Sequence, residues 1–196
     1  MVSCHRVYVR YVALLCGHAA TLRAVCDPHP QLIDPQTGLL VTDDKSKVPG
    51  MSTRVVGMLK IIEKILKKYE LHRATVLDAL DRTDAPHSTR PYFFEIEADG
   101  SIVPLRPKHF RTPVAGLTFD VPPNALRRHM RTRLMEAGLD AQLIDAWMGH
   151  WLDALSPHDE LSTFHHVKAM SDVKRVVDQV IPEMGWRAVS GWNESS

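Results

Sequence analysis

A chain of 196 residues with a formal net charge of +1 is sized for one domain and carries no global field that would by itself mark a nucleic-acid or membrane binder. Hydrophobic residues make up 44% and charged residues 24%, which excludes disorder over the bulk of the chain and supplies a core. The three cysteines, Cys4, Cys16 and Cys26, form no Cys-x-x-Cys pair, which excludes a disulfide framework and suits a reducing cytoplasm.

The first apolar stretch, Val7 to Cys16, is interrupted by Arg10 and is too short for the ~18–20 residues of a membrane span. It reads as a buried helix rather than a signal peptide, running to about Arg23, with Val7, Tyr11, Leu14, Leu15 and Leu22 inward and a break near Gly17. Asp27-Pro28-His29-Pro30 stops it. Leu39–Thr42 and Thr53–Val56 read as two strands of a hairpin across a polar link.

Met58, Leu59, Ile61, Ile62, Ile65, Leu66 and Tyr69 then form the stripe of an amphipathic helix, with Lys60, Lys64, Lys67 and Lys68 as its solvated face. Asp81 to Pro91 is a loop. Tyr92–Glu97 and Ser101–Leu105 flank Ala98-Asp99-Gly100 as a second hairpin. Asn124 is placed to cap a helix carrying Leu126, Met130 and Leu134 up to Gly138. Asp140 caps a short helix with Leu143, Ile144, Trp147 and Met148. A last helix spans about Val167 to Val180, with Met170, Val173, Val176, Val177 and Val180 inward. The expected fold class is α+β, mostly α, with small β hairpins.

Chemistry concentrates in two blocks. One is Asn124-Ala-Leu-Arg127-Arg128-His-Met-Arg131-Thr132-Arg-Leu134, ending at Gly138; the other is Met148-Gly149-His150. Together they resemble the catalytic domain of tyrosine recombinases, the phage-integrase family. That family opens a helix with His-x-x-Arg, follows with Thr-x-Leu and a glycine, and then has Leu-Gly-His. Here Arg127 stands at the family's second catalytic arginine and His150 at its Gly-His histidine. Asn124 replaces the first histidine, removing one proton donor or acceptor.

The resemblance covers about Leu14 to Trp186 and is closest to an integrase-like subgroup of bacterial mobile elements. It implies a catalytic arginine at Arg23 and a hairpin lysine at Lys45, with Lys47 as the alternative. It also implies a catalytic-domain-like helical bundle over 1–186 with a tail over 187–196, the separate N-terminal core-binding domain being absent.

The residue types suit phosphoryl transesterification. Two guanidiniums hold the extra charge on the non-bridging oxygens, a lysine protonates the departing sugar oxygen, and an imidazole handles a proton near neutrality. This scheme requires no metal or other cofactor. The nucleophile is missing: Tyr8, Tyr11, Tyr69 and Tyr92 all precede Arg127, and Leu161 or Phe164 stands where the family's tyrosine would fall. Ser162 and Thr163 are nearby hydroxyls, but alcohols need strong activation to attack phosphate.

The resemblance therefore implies a DNA-binding, site-specific recombinase or integrase-like domain with impaired or absent cleavage. Its partners would be double-stranded DNA, contacted by Arg127, Arg128 and Arg131, and a second copy or a full-length recombinase on that DNA. The setting would be a bacterial, nucleoid-associated cytoplasm. The contrasting expectation is a non-catalytic helical interaction module, or a truncated remnant of such an element, in which the arginines form a solvated helix face. Cys4/His5, Cys16/His18, Cys26/His29 and His165-His166 lack structural-zinc spacing.

Overall fold

The computed structural model describes residues 1–21, 33–34, 38–41, 54–80, 90–119, 125–149 and 166–192, with the backbone alone at 33–34, 38–41, 54–55 and 166–167. The first element, α1 (Val2–Ala19), starts five residues before the expected Val7 and ends before Arg23. No break occurs at Gly17. The Ala20 amide donates to the Cys16 carbonyl and the Thr21 amide to that of His18, closing the helix. Thr21 then takes a left-handed φ of 53°, uncommon for a branched side chain.

The buried face also departs from expectation. Val7, Tyr11 and Leu14 are only partly covered, whereas Tyr8, Val9, Arg10, Val12, Ala13, Leu15 and Cys16 are buried. Several elements pack on α1 at once, so a single apolar stripe was the wrong template.

Strands β1 (Ile33–Asp34), β2 (Gly38–Val41) and β3 (Arg54–Val56) form an antiparallel sheet in that order. The expected hairpin is its β2–β3 half, with Leu39 opposite Val56, and β1 is an additional strand. The helix that follows, α2 (Lys60–Leu80), runs well past Tyr69 and buries His72, Val76 and Leu77 further along. Lys60, Lys64 and Lys67 are solvated as expected, but Lys68 is not: its Nζ donates to the Ala188 carbonyl at 2.8 Å. Strands β4 (Phe94–Ile96) and β5 (Ile102–Pro104) make the second hairpin, turned at Gly100 with φ 85°.

A short helix, α3 (Pro107–Arg111), was not foreseen, since five residues carry too little periodicity to register. The remaining helices are α4 (Ala125–Glu136), α5 (Ala141–Met148) and α6 (His166–Glu183). Asp140 caps α5 as expected, accepting the Gln142 amide at 2.8 Å, and Gly149 ends it at φ 68°. In α6 the expected Val173, Val176, Val177 and Val180 are buried, while Met170 is half-buried. The described chain is thus α+β and mostly helical. One core joins α1, α2, α4, α5 and α6, and a smaller cluster of Val76, Leu77, Phe94 and Ile96 lies between α2 and β4.

After α6 the chain returns across α1 and α2 as an extended strap, residues 186–192. Tyr11 Oη donates to the Arg187 carbonyl at 2.7 Å and Tyr8 Oη to that of Val189 at 3.0 Å. Trp186 Nε1–H donates to His18 Nδ1 at 2.8 Å, and the Trp192 amide donates to His72 Nδ1 at 2.9 Å. Gly191 is where the strap lies closest to the helices. A Cβ there would stand 2.5 Å from the Tyr8 ring and 2.6 Å from His72 Nδ1, contacts that rigid rings cannot accept. Gly191→Ala is therefore expected to lift the strap at a cost of about 1–3 kcal/mol, read as a lower urea midpoint with an unchanged m-value.

Candidate functional site

Helix α4 presents Arg127 inward and Arg128 and Arg131 outward. Arg127 is buried beside Met130 and Leu134, the positions three and seven residues further along the same helix face. Its guanidinium bridges two helix ends. Nη1 donates to the Thr21 carbonyl at 3.1 Å, just beyond α1, and Nη2 donates to the Met148 carbonyl, the last residue of α5. Carbonyls at helix C-termini lack intrahelical donors and carry partial negative charge, so a buried cation there is both bonded and partly neutralised.

The same junction is knitted by Trp147. Its Nε1–H donates to the Ala19 carbonyl at 3.4 Å, and its carbonyl accepts Thr21 Oγ1 at 3.3 Å.

The two described segments that Arg127 ties together are those that lead on, in sequence, to Arg23 and to His150. Arg23, Lys45, Asn124 and His150 themselves lie outside the described residues, as do Leu161, Ser162, Thr163 and Phe164. Arg128 is exposed, and Arg131 is exposed with its Nη2 3.6 Å from Asp145 Oδ1, a loose surface pair of little energetic weight.

One neighbour of the junction escaped the sequence reading. His18 on α1 is buried, lies with its ring tilted 5.3 Å from that of His129 on α4, and accepts from Trp186. Burial first, and His129 second, push its pKa down to about 4, so the ring is neutral at pH 7. Because Nδ1 is the acceptor, the proton sits on Nε2. No spacing signal links positions 18, 129 and 186; only the packing of α1 on α4 does.

Among the described residues, no three His, Cys, Asp or Glu side chains gather as a metal-ligand set, and no helix is long and apolar enough to cross a membrane. Comparisons with family models, with curated proteins and with solved structures find no match for this chain.

Proposed function

We propose that the chain is a recombinase-like, DNA-binding domain, a strand-exchange fold whose cleavage chemistry is impaired because no tyrosine follows His150. The supporting observation is the placement of Arg127. Its buried guanidinium lies at the meeting of the α1 and α5 ends, the two segments that lead on in sequence to Arg23 and His150. The mostly helical α+β architecture and the late Asn-x-x-Arg helix are compatible with that reading. Duplex DNA is the partner, in a bacterial, nucleoid-associated setting, shared with a second copy or with a full-length recombinase, of which only the latter could supply a tyrosine in trans.

The test is DNA binding as a function of salt, followed by anisotropy. Arg128 and Arg131 are exposed, so Arg128→Ala with Arg131→Ala leaves the fold intact. The pair is expected to weaken binding and to reduce the slope of log K against log salt by about 1 per lost phosphate contact. A nicked trap substrate should yield no covalent protein–DNA adduct; an adduct mapped to Ser162 or Thr163 would overturn the impaired reading. Unaltered affinity in the double variant would sink the assignment of this face.

A specific observation favours a second reading, a non-catalytic helical module. Both of Arg127's bonds described above go to backbone carbonyls, the pattern of a structural staple. In that case Arg127→Lys lowers stability, the chain shows no mobility shift at low salt, and the exposed arginines are only a solvated face.

A further inference from the structure

The strap over residues 186–192 is held by hydrogen bonds rather than by burial. None of its residues is buried; each is half-buried or exposed. Its carbonyls accept from Tyr11, Tyr8 and Lys68, and Lys68 Nζ also donates to Ser190 Oγ at 3.1 Å. An extended segment with so little apolar cover opens locally before the helices beneath it do. A tryptophan closes each end, and each donates to an imidazole nitrogen.

The two ends answer a proton differently. At His72 the Trp192 amide lies 2.9 Å from Nδ1, and the Trp192 carbonyl lies 3.2 Å from the same atom. A protonated Nδ1 there exchanges an accepted bond for a donated one and keeps its partner residue. Gly191, lying against Tyr8 and His72, seats that end as well.

At His18 no such exchange exists. Nδ1 accepts Trp186 Nε1–H at 2.8 Å, and an indole nitrogen can only donate. A proton on Nδ1 therefore sets two N–H groups against each other. Nε2 offers no relief, because it is buried and meets no acceptor among the described residues.

The surroundings of the ring supply no counter-charge. His129 faces it from α4, and Trp186 from the strap at 5.7 Å, with Tyr11 of α1 5.4 Å beyond Trp186. Arg127 of α4 is bonded to the Thr21 and Met148 carbonyls, and Arg187 of the strap to those of Pro182 and Trp186. Asp145 of α5 and Glu183 of α6 lie against Arg131 and Arg133 instead. The ring's lowered pKa, about 4, agrees with this setting.

We propose that the strap is an acid-released latch, in which a proton on His18 expels the Trp186 indole and opens the strap from that end while Gly191 and Trp192 stay seated. Release uncovers Tyr11 and His18, one turn before the Thr21 carbonyl that Arg127 holds. The latch does not depend on the DNA reading.

The test is hydrogen exchange on the full chain between about pH 7 and about pH 5. Each site is read as a protection factor, which divides out the intrinsic pH dependence of exchange. The reporters of the latch are Trp186 Nε1–H and the Arg187 amide, which donates to Tyr11 Oη at 3.1 Å. Their protection should fall by up to about tenfold for each pH unit below about 6.5. Trp147 Nε1–H, which donates to the Ala19 carbonyl in the core, reports global unfolding. A local opening exposes little surface, so sub-denaturing urea should lower the protection of Trp147 and leave that of Trp186 unchanged. His18→Asn keeps an acceptor for Trp186 and should remove the pH dependence at Trp186. Trp186→Phe keeps a ring without an N–H, and should bring the Arg187 amide at pH 7 to the low protection that the parent reaches in acid. Trp186 tracking Trp147 in both urea and pH overturns the proposal. So does a pH dependence that survives His18→Asn, or an Arg187 amide unaffected by Trp186→Phe.

Discussion

Glu95→Gln is expected to be among the most damaging single substitutions in the described chain, lowering stability by about 3–5 kcal/mol. The Glu95 side chain is 2% exposed and holds Arg10, which is 0% exposed, and Arg6 from α1 against strand β4. Glutamine has nearly the same shape and keeps an acceptor oxygen. What it removes is the buried negative charge bonded to Arg10, leaving a guanidinium in a low-dielectric interior without a counter-ion among the described residues. At roughly 2–4 °C per kcal/mol for a chain of this size, thermal unfolding should fall by roughly 6–20 °C.

The double variant Arg10→Met with Glu95→Leu supplies the internal check. Removing both charges and filling the space with apolar groups should recover most of the loss, because the desolvation penalty disappears with the pair. If Glu95→Gln unfolds within about 1 kcal/mol of the parent, the group is not energetically coupled and the reading of this junction is wrong.

Mild acid is expected to destabilise the protein before its carboxylates titrate. His5 and His18 have pKa values pushed down to about 4, burial being the main cause in both, and His72 is lowered for the same reason. The bonding explains how neutrality is used. The Trp192 amide donates to His72 Nδ1; the His72 Nε2–H then donates to His5 Nδ1 at 3.1 Å, and the His5 Nε2–H donates to the Phe94 carbonyl at 3.0 Å. This relay, like the Trp186 bond to His18, needs an imidazole nitrogen without a proton.

At His5 and His18 the unfolded chain binds protons near pH 6.5, whereas the folded chain does so only near pH 4; His72 is shifted in the same direction. The unfolded state therefore carries more protons throughout that window. Stability is fully present above about pH 7 and is lost progressively as pH falls from 6.5 through about 4. For His5 and His18 the change between pH 7 and pH 5 is about 2 kcal/mol each. Ordinary carboxylates stay mostly ionised over that range, so urea midpoints at the two pH values report the histidines. Equal midpoints would refute this account. His18→Asn, which leaves an acceptor for Trp186 but nothing to protonate, should remove the His18 share of that change, about 2 kcal/mol, and leave that of His5.

How much of this was legible beforehand differs between fold and site. Strong periodicity or a capping residue made α2, α4, α5 and α6 readable, and Asp140 marked the start of α5 correctly. Helix α1 was misread because periodicity assumes one buried face, and α1 is enclosed by α2, α4 and β4. Arg10 looked like a break in an apolar run when it is the buried partner of Glu95, 85 residues away. Strand β1 and helix α3 were too short to leave a pattern.

At the site, Arg127 was found from its motif, but its acceptors were not, since any residue can offer a carbonyl. The His18–His129–Trp186 cluster and the His5–His72 relay were invisible for the related reason that their members are far apart in sequence. The four remaining motif positions, Arg23, Lys45, Asn124 and His150, lie outside the described residues.

The strap carries a kinetic consequence. Its bonds from Tyr8 and Tyr11 join residues 181 and 176 positions apart, among the longest closures the chain can make. Such contacts pay their full loop entropy before they return anything, so they form after the helices have packed. Synthesis must reach residues 186 to 192 before His18, Tyr11, Tyr8 and His72 can make these bonds. Contacts made that late contribute little to the folding barrier and much to the unfolding one. The strap is a brake on escape from the native state more than an aid in reaching it.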